Sequence, residues 1–294
     1  MKLAKERLGF IGLGAMGLPM AKNLVNHGYE LHITANRNRE PVEQLARAGA
    51  TEHDSIRDVV SNCDVLITIL PTDREMESVL LSQQTLDALR PGMLLIEMTS
   101  GTPAMMKRVA DAYASKGVRV LDGPVSGGTV GAEQGTLTVM VGGDEATLEA
   151  AKPFLTPMAK NILPVGGVGA GKAIKAINQM MAAVHMAVLT EAAALAEKLD
   201  IDPDALKTVI GSSSGSSWML MNRLDMLVNR NFQPGFKLAL MRKDVEIAVS
   251  EAGELNLPIA EAALSLYRET EKTYGEYDFS AVGKALLSKP VETE

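Results

Sequence analysis

The chain has 294 residues, with 29 Lys+Arg against 36 Asp+Glu and a net charge of −7. That length suggests about two domains with room for a buried core, and the acidic balance argues against a nucleic-acid or anionic-membrane partner, since both attract basic excess. Hydrophobic residues at 46% and charged residues at 22% exclude disorder, and a single cysteine, Cys63, excludes an intrachain disulfide or a thiolate metal cage.

The opening segment is charged, and the apolar run after it is broken by Gly12, Gly14 and Gly17, so it lacks the continuous apolar centre of a signal peptide. A first strand is expected at 8–11 and a helix at 16–26. Where they meet, Gly12-Leu13-Gly14-Ala15-Met16-Gly17 matches G-x-G-x-x-G. Gly12 permits the tight turn, Gly14 lets backbone approach a pyrophosphate, and Gly17 lets the helix pack close to the strand. The helix N-terminus then offers N–H groups to the phosphates. The same pattern fits a glycine-rich turn without a ligand, but its place at the first strand of an alternating chain points to a dinucleotide.

A second strand, 31–34, leads into Asn36-Arg37-Asn38-Arg39, where an NAD site usually has a carboxylate for the ribose 2′-OH. Arg37 can pair bidentately with a 2′-phosphate, and Asn36 and Asn38 can donate to it. The turn therefore favours NADP, with NAD possible; the alternative is a solvated basic turn.

Further strands are expected at 65–70, 94–97, 118–122, 137–141 and 162–165. Several are continuous apolar runs, as a sheet covered on both faces requires. Helices at 102–116 and 145–155 alternate with them. The expected fold is α/β, a doubly wound and largely parallel sheet over residues 1–165. Leu70 and Pro71, at one strand end, join the candidate cofactor contacts. Asp122-Gly123-Pro124-Val125-Ser126-Gly127-Gly128-Thr129 follows another strand end, where ligands collect in open sheets. Ser126 offers a hydroxyl, and Gly127 and Gly128 offer amides for a carboxylate, although an S-G-G turn taken alone is more often a structural device.

Past the glycine-rich stretch 166–171 the strand signal stops, and 166–294 reads as an all-helical domain with helices at 172–199, 204–210, 218–228, 238–254, 259–273 and 279–287. The first is apolar nearly all round, which predicts a buried helix. Its uncharged stretch from Ala176 to Glu191 is about 15 residues, short of the ~20 of a membrane span. Lys175 lies at its start, with Asn178 and Gln179 three and four positions on along the same face. Because lysine is rarely buried without a partner, Lys175 reads better as facing a cleft between the domains than as a solvated lysine. With its pKa lowered by burial or a nearby cation, its amine can exchange a proton with a substrate oxygen, and Asn178 can orient that oxygen or the lysine. Trp218 and Phe236 either wall a substrate pocket or anchor the core. His27, His32, His53 and His185 lack ligand spacing, so no metal site is expected.

Residues 12–17, 122–128 and 135–143, Gly171-x3-Lys175-x2-Asn178 and Met241-Arg242-Lys243-Asp244 together resemble the β-hydroxyacid dehydrogenases. That family includes 3-hydroxyisobutyrate dehydrogenase, tartronate semialdehyde reductase and glyoxylate/succinic semialdehyde reductases, and the resemblance spans essentially the whole chain. It implies a Rossmann domain followed by an all-α domain, with Lys175 as the catalytic lysine. It further implies substrate carboxylate binding at Ser126, Gly127 and Gly128, with Asn178 near the reacting oxygen. Ser100 falls at a cofactor contact, and Lys243 matches a lysine near the nicotinamide, with Asp244 as its partner. Thr99 stands where the family often has serine.

The function so implied is hydride transfer between NADP(H) and a short β-hydroxy acid or its semialdehyde. The expected protein is a cytoplasmic homodimer or homotetramer acting on a small molecule, with no nucleic-acid or membrane partner. The runner-up readings are an imine reductase, which usually lacks this lysine, and a non-catalytic dinucleotide-binding module that senses or interacts.

Overall fold

The computed structural model describes residues 6–233 and 235–287. The first half alternates β1 (Leu8–Ile11), α1 (Gly17–Asn26), β2 (Leu31–Thr34), α2 (Glu40–Arg47), β3 (Thr51–His53), α3 (Ile56–Asn62), β4 (Val65–Thr68), α4 (Asp73–Leu80) and α5 (Gln83–Ala88). It continues through β5 (Leu94–Glu97), α6 (Pro103–Ala114), β6 (Arg119–Asp122), β7 (Val125–Ser126), α7 (Gly128–Gln134), β8 (Leu137–Gly142), α8 (Glu145–Leu155) and β9 (Ala159–Gly166). The rest is helical: α9 (Ala170–Lys198), α10 (Pro203–Gly211), α11 (Trp218–Val228), α12 (Leu238–Glu251), α13 (Pro258–Tyr274) and a closing 3₁₀ segment (Phe279–Ala285).

All nine strands share one sheet in the order β3-β2-β1-β4-β5-β6-β8-β7, with β9 on β8. The strands from β1 to β6 pair in parallel, whereas β8 runs antiparallel to β6 and β7. The chain order reverses at β1, which has β2 on one side and β4 on the other, and open sheets hold ligands at the carboxyl ends of strands flanking such a switch point.

Every residue of β1, β4 and β5 is buried. Leu8, Phe10, Ile67 and Ile96 pack one face with Met20 and Leu24 of α1, while Leu66 and Leu95 pack the other with Val59, Met76 and Val109. Covering both faces explains why these strands are continuous apolar runs. Each fully buried side chain of this size contributes about 1.5–3 kcal/mol.

The fold divides into two compact units, Met1–Lys175 and Ala176–Glu294, so the division falls inside α9. In the second unit Ala183, Met186 and Leu189 of α9 pack with Leu220 and Leu224 of α11, Met241 and Val245 of α12, and Leu264 and Tyr267 of α13.

One expectation is corrected here. α9 is not buried all round: Ile174, Ile177, Met181, Val188 and Leu195 are 39–56% exposed along it. Apolar residues on every side do not bury a helix that has neighbours on only part of its circumference. The same helix, 29 residues long, is long and apolar enough by length and composition to cross a membrane. Its inward face is nevertheless committed to the helical core just described.

Candidate active site

The loop from β1 to α1 is shaped by its glycines. Gly12 has φ +103°, and a Cβ there would meet the Ile69 carbonyl oxygen at 2.0 Å. A Cβ on Gly17 would meet the Gly12 carbonyl oxygen at 1.8 Å, so the first turn of α1 sits directly on the loop. Gly14 differs from both: it is exposed, and a Cβ there would meet nothing within 4 Å. Leu13, Ala15 and Met16 complete the loop, and Met16, the N-cap of α1, has no side-chain cap. Backbone N–H groups at an uncapped helix start beside open space fit a phosphate-bearing cofactor.

The turn after β2 presents Asn36, Arg37 and Asn38, all exposed. Arg39 is paired with Glu52 at 2.8 Å, and Asn38 accepts the Glu40 N–H at 3.0 Å through its side-chain oxygen, which settles the start of α2. Arg37 makes no ion pair among the described residues.

Beyond β4, the Leu70 N–H donates to the Thr99 hydroxyl at 2.8 Å, tying the Leu70-Pro71 turn to the turn that carries Ser100. Thr99 thus serves as a hydroxyl acceptor. At the far side of the sheet, Ser126 closes β7 opposite Thr138 of β8. Gly127 and Gly128 follow with φ of +135° and +64°, and a Cβ on Gly128 would meet nothing within 4 Å.

Sequence reasoning missed the device that holds α9. Asp122, the last residue of β6, accepts the N–H of Gly169 at 2.7 Å and that of Lys172 at 2.9 Å, one on each oxygen. Burial pushes its carboxyl pKa up, against the opposing pull of Lys172 and these N–H groups. Gly171 allows the close approach, since a Cβ there would meet the Met140 carbonyl at 2.4 Å and an Asp122 oxygen at 2.6 Å. An acidic residue ending an apolar strand was the available signal. Lys175, one turn into α9, is 7% exposed.

In the second unit, the Asn178 side-chain amide donates to Gln179 at 2.9 Å, and Gln179 donates to Asp244 at 2.9 Å. Asp244, itself buried, pairs with Lys243 at 3.0 Å. Asn178 and Lys243, far apart in sequence, therefore belong to one polar chain, with Gln179 as the link that sequence reading did not single out as a site residue.

Trp218 is 58% exposed under the Arg223 guanidinium, so it does not anchor the core. Phe236 packs edge-on against Phe279 and lies against the helical core. The histidines hold one surprise: His32 and His53 meet at 2.8 Å across neighbouring strands, and burial together with His53 lowers the His32 pKa. No group of three or more potential metal ligands occurs among the described residues.

Comparison with known proteins adds to this geometry. Residues 7–167 match the family described as the NAD binding domain of 6-phosphogluconate dehydrogenase. Residues 169–286 match that described as NAD-binding of NADP-dependent 3-hydroxyisobutyrate dehydrogenase. The chain is 37% identical over 285 residues to 2-hydroxy-3-oxopropionate reductase of Escherichia coli, covering 95% of this chain and 97% of that one. It is 38% identical over 290 residues to an NAD-dependent L-serine dehydrogenase of Pseudomonas aeruginosa, covering 95% and 97%. Among solved structures, Mycobacterium tuberculosis 3-hydroxyisobutyrate dehydrogenase with L-serine superposes with a TM-score of 0.88 at 34% identity, covering 96% and 99%.

Proposed function

The chain belongs to the β-hydroxyacid dehydrogenase family and is an NAD(P)-dependent hydroxyacid dehydrogenase, and we propose that it reduces a short aldehyde acid, or oxidises the matching β-hydroxy acid, with Lys175 as general acid/base and NADP(H) preferred. When bound, the nicotinamide cofactor supplies or accepts the hydride.

In reduction, the Lys175 ammonium gives a proton to the substrate oxygen as that oxygen gains charge; in oxidation, the neutral amine takes the hydroxyl proton. Asn178 orients the same oxygen. Ser126, Gly127 and Gly128 hold the carboxylate through a hydroxyl and backbone N–H groups. The Gly12–Gly17 loop, with Leu70, Pro71, Ser100 and Lys243, holds the cofactor, and Arg37 with Asn36 and Asn38 takes its 2′-phosphate. Trp218 and Phe236 shape the distal wall for the substrate.

The observation that carries this reading is the burial of Lys175 on a helix whose start is fixed by Asp122. The preference for NADP rests on the Asn36-Arg37-Asn38 turn, which has no carboxylate for a ribose 2′-OH.

L-serine is a second substrate candidate. It is itself a β-hydroxy acid, and it appears in the names of both a 38%-identical relative and a 34%-identical structure. The exposed apolar residues of α9 support assembly into a homodimer or homotetramer. The acidic net charge supports a small-molecule substrate without nucleic-acid or anionic-membrane partners, and the charged, glycine-broken opening segment supports a cytoplasmic enzyme.

The test follows NADPH absorbance with glyoxylate, succinic semialdehyde, tartronate semialdehyde and methylmalonate semialdehyde, and NADP reduction with L-serine. Turnover of at least one is expected. Tight NADPH binding with no turnover of any would favour the non-catalytic module.

A further inference from the structure

We propose that Lys172 and Glu97 are positioning residues of this enzyme: a buried ion pair that locks the Thr99-Ser100 turn to the first turn of α9 and so sets the place of Lys175. The inference rests on the reading of Lys175 as acid/base and of Ser100 as a cofactor contact.

Both side chains are fully buried, although they lie 75 residues apart in sequence. The Lys172 ammonium donates to the Glu97 carboxylate, to the Glu97 backbone carbonyl at 3.3 Å and to the Thr99 carbonyl. That is its full complement of three donors. The other Glu97 oxygen accepts the Thr99 N–H at 3.1 Å and the Thr68 hydroxyl at 3.5 Å. Thr99 is thereby held at every polar group: N–H on Glu97, carbonyl on Lys172, hydroxyl on the Leu70 N–H.

A buried pair of this kind is a poor way to gain stability. Desolvating each ion costs several kcal/mol, and apolar residues of similar volume often serve as well or better. What apolar residues cannot do is fix two backbone carbonyls and an N–H at once. Lys172 stands three positions before Lys175, on neighbouring points of the helix surface with Cβ atoms about 5–6 Å apart. The pair therefore joins three things: the strand end that leads to Ser100, the turn at Leu70, and the helix start that carries the proposed acid/base. Misplacing a reacting group by about 1 Å can cost about 10²-fold in rate.

The test compares wild type with Lys172→Met, Glu97→Gln and the double variant Lys172→Met/Glu97→Leu. Three quantities are read: melting temperature, kcat and KM with an aldehyde acid, and Kd for NADPH against Kd for 2′,5′-ADP, which lacks the nicotinamide half. The single changes leave a buried charge unpaired and lower the melting temperature, while the double variant recovers it to near wild type. The positioning role predicts that the double variant stays at least about tenfold low in kcat with KM for the aldehyde acid little changed. It also predicts a weakened Kd for NADPH with Kd for 2′,5′-ADP unaltered. A stable double variant with wild-type kcat and NADPH affinity overturns the inference. Should the double variant not fold, wild-type kcat and NADPH affinity in the shape-conserving Glu97→Gln variant overturns it equally. If wild type turns over no aldehyde acid, the functional reading fails separately, and the comparison of NADPH with 2′,5′-ADP still decides the role of the pair.

Discussion

The carboxylate of Asp122 accepts the backbone N–H of Lys172 at 2.9 Å, so the last residue of β6 fixes the start of the helix that presents Lys175. Its other oxygen takes the Gly169 N–H at 2.7 Å, and the pair of bonds caps α9. A carboxylate at a helix N-terminus is also favoured by the helix dipole. Burial opposes both effects and sets the sign of the pH dependence.

That sign follows from linkage. Burial raises the Asp122 pKa above its ordinary carboxylate value, so the folded protein binds this proton more tightly than the unfolded chain. The contribution to stability is then fully present below about pH 4 and is lost as pH rises through the raised pKa. Asp122→Asn keeps the shape without the titration. Its deficit against wild type is expected to be largest in acid and to shrink above about pH 4, read as urea midpoints of both proteins across pH. A deficit that grows with pH would show that the N–H groups and Lys172 outweigh desolvation.

The glycine loop predicts a divided outcome. Gly12→Ala and Gly17→Ala drive a methyl group into backbone oxygen at 2.0 and 1.8 Å and are expected to destabilise by several kcal/mol. Gly14→Ala meets no protein atom, so its melting temperature should hold within about 2 °C, an effect under about 1 kcal/mol. Its affinity for NADPH should nevertheless fall about tenfold, because the methyl occupies the path by which the loop approaches the pyrophosphate. NADPH fluorescence titration reads the split, and unchanged affinity in Gly14→Ala would place the cofactor elsewhere.

Arg37→Asp tests cofactor choice. Removing the bidentate partner of a 2′-phosphate and supplying an acceptor for a ribose 2′-OH should lower the ratio of kcat/KM for NADPH over NADH by about tenfold or more. An unchanged ratio would show that Arg37 belongs to a solvated turn.

Much of this architecture is legible in the sequence. The strands at Leu8–Ile11, Leu31–Thr34 and Leu94–Glu97 coincide with their expected bounds, because strands covered on both faces are short segments rich in apolar residues. The glycine loop is legible for a similar reason, since backbone approach is a local property of local residues. What escapes is non-local. Lys172 and Glu97 meet only because α9 starts beside the ends of β5 and β6, and His32 meets His53 only because β2 and β3 pair in parallel. The strand β7 and helix α7 depend on the positive φ of Gly127 and Gly128, which composition does not announce.

The exposed side of α9 predicts self-association. Ile174, Met181, Val188 and Leu195 recur every seven residues and are all exposed. Ile177→Glu with Val188→Glu should shift sedimentation of a dimer or tetramer towards monomer, with dissociation at least about tenfold stronger. A wild-type protein that sediments as a monomer at micromolar concentration would remove the assembly from the account.

The central assignment is the proton carried by Lys175, and it is tested most directly by Lys175→Ala in a steady-state assay with NADPH and whichever aldehyde acid wild type reduces. Loss of a positioned acid/base predicts a fall in kcat of about 10²–10⁴-fold, with NADPH affinity within about threefold of wild type. A kcat within a few-fold of wild type would contradict it.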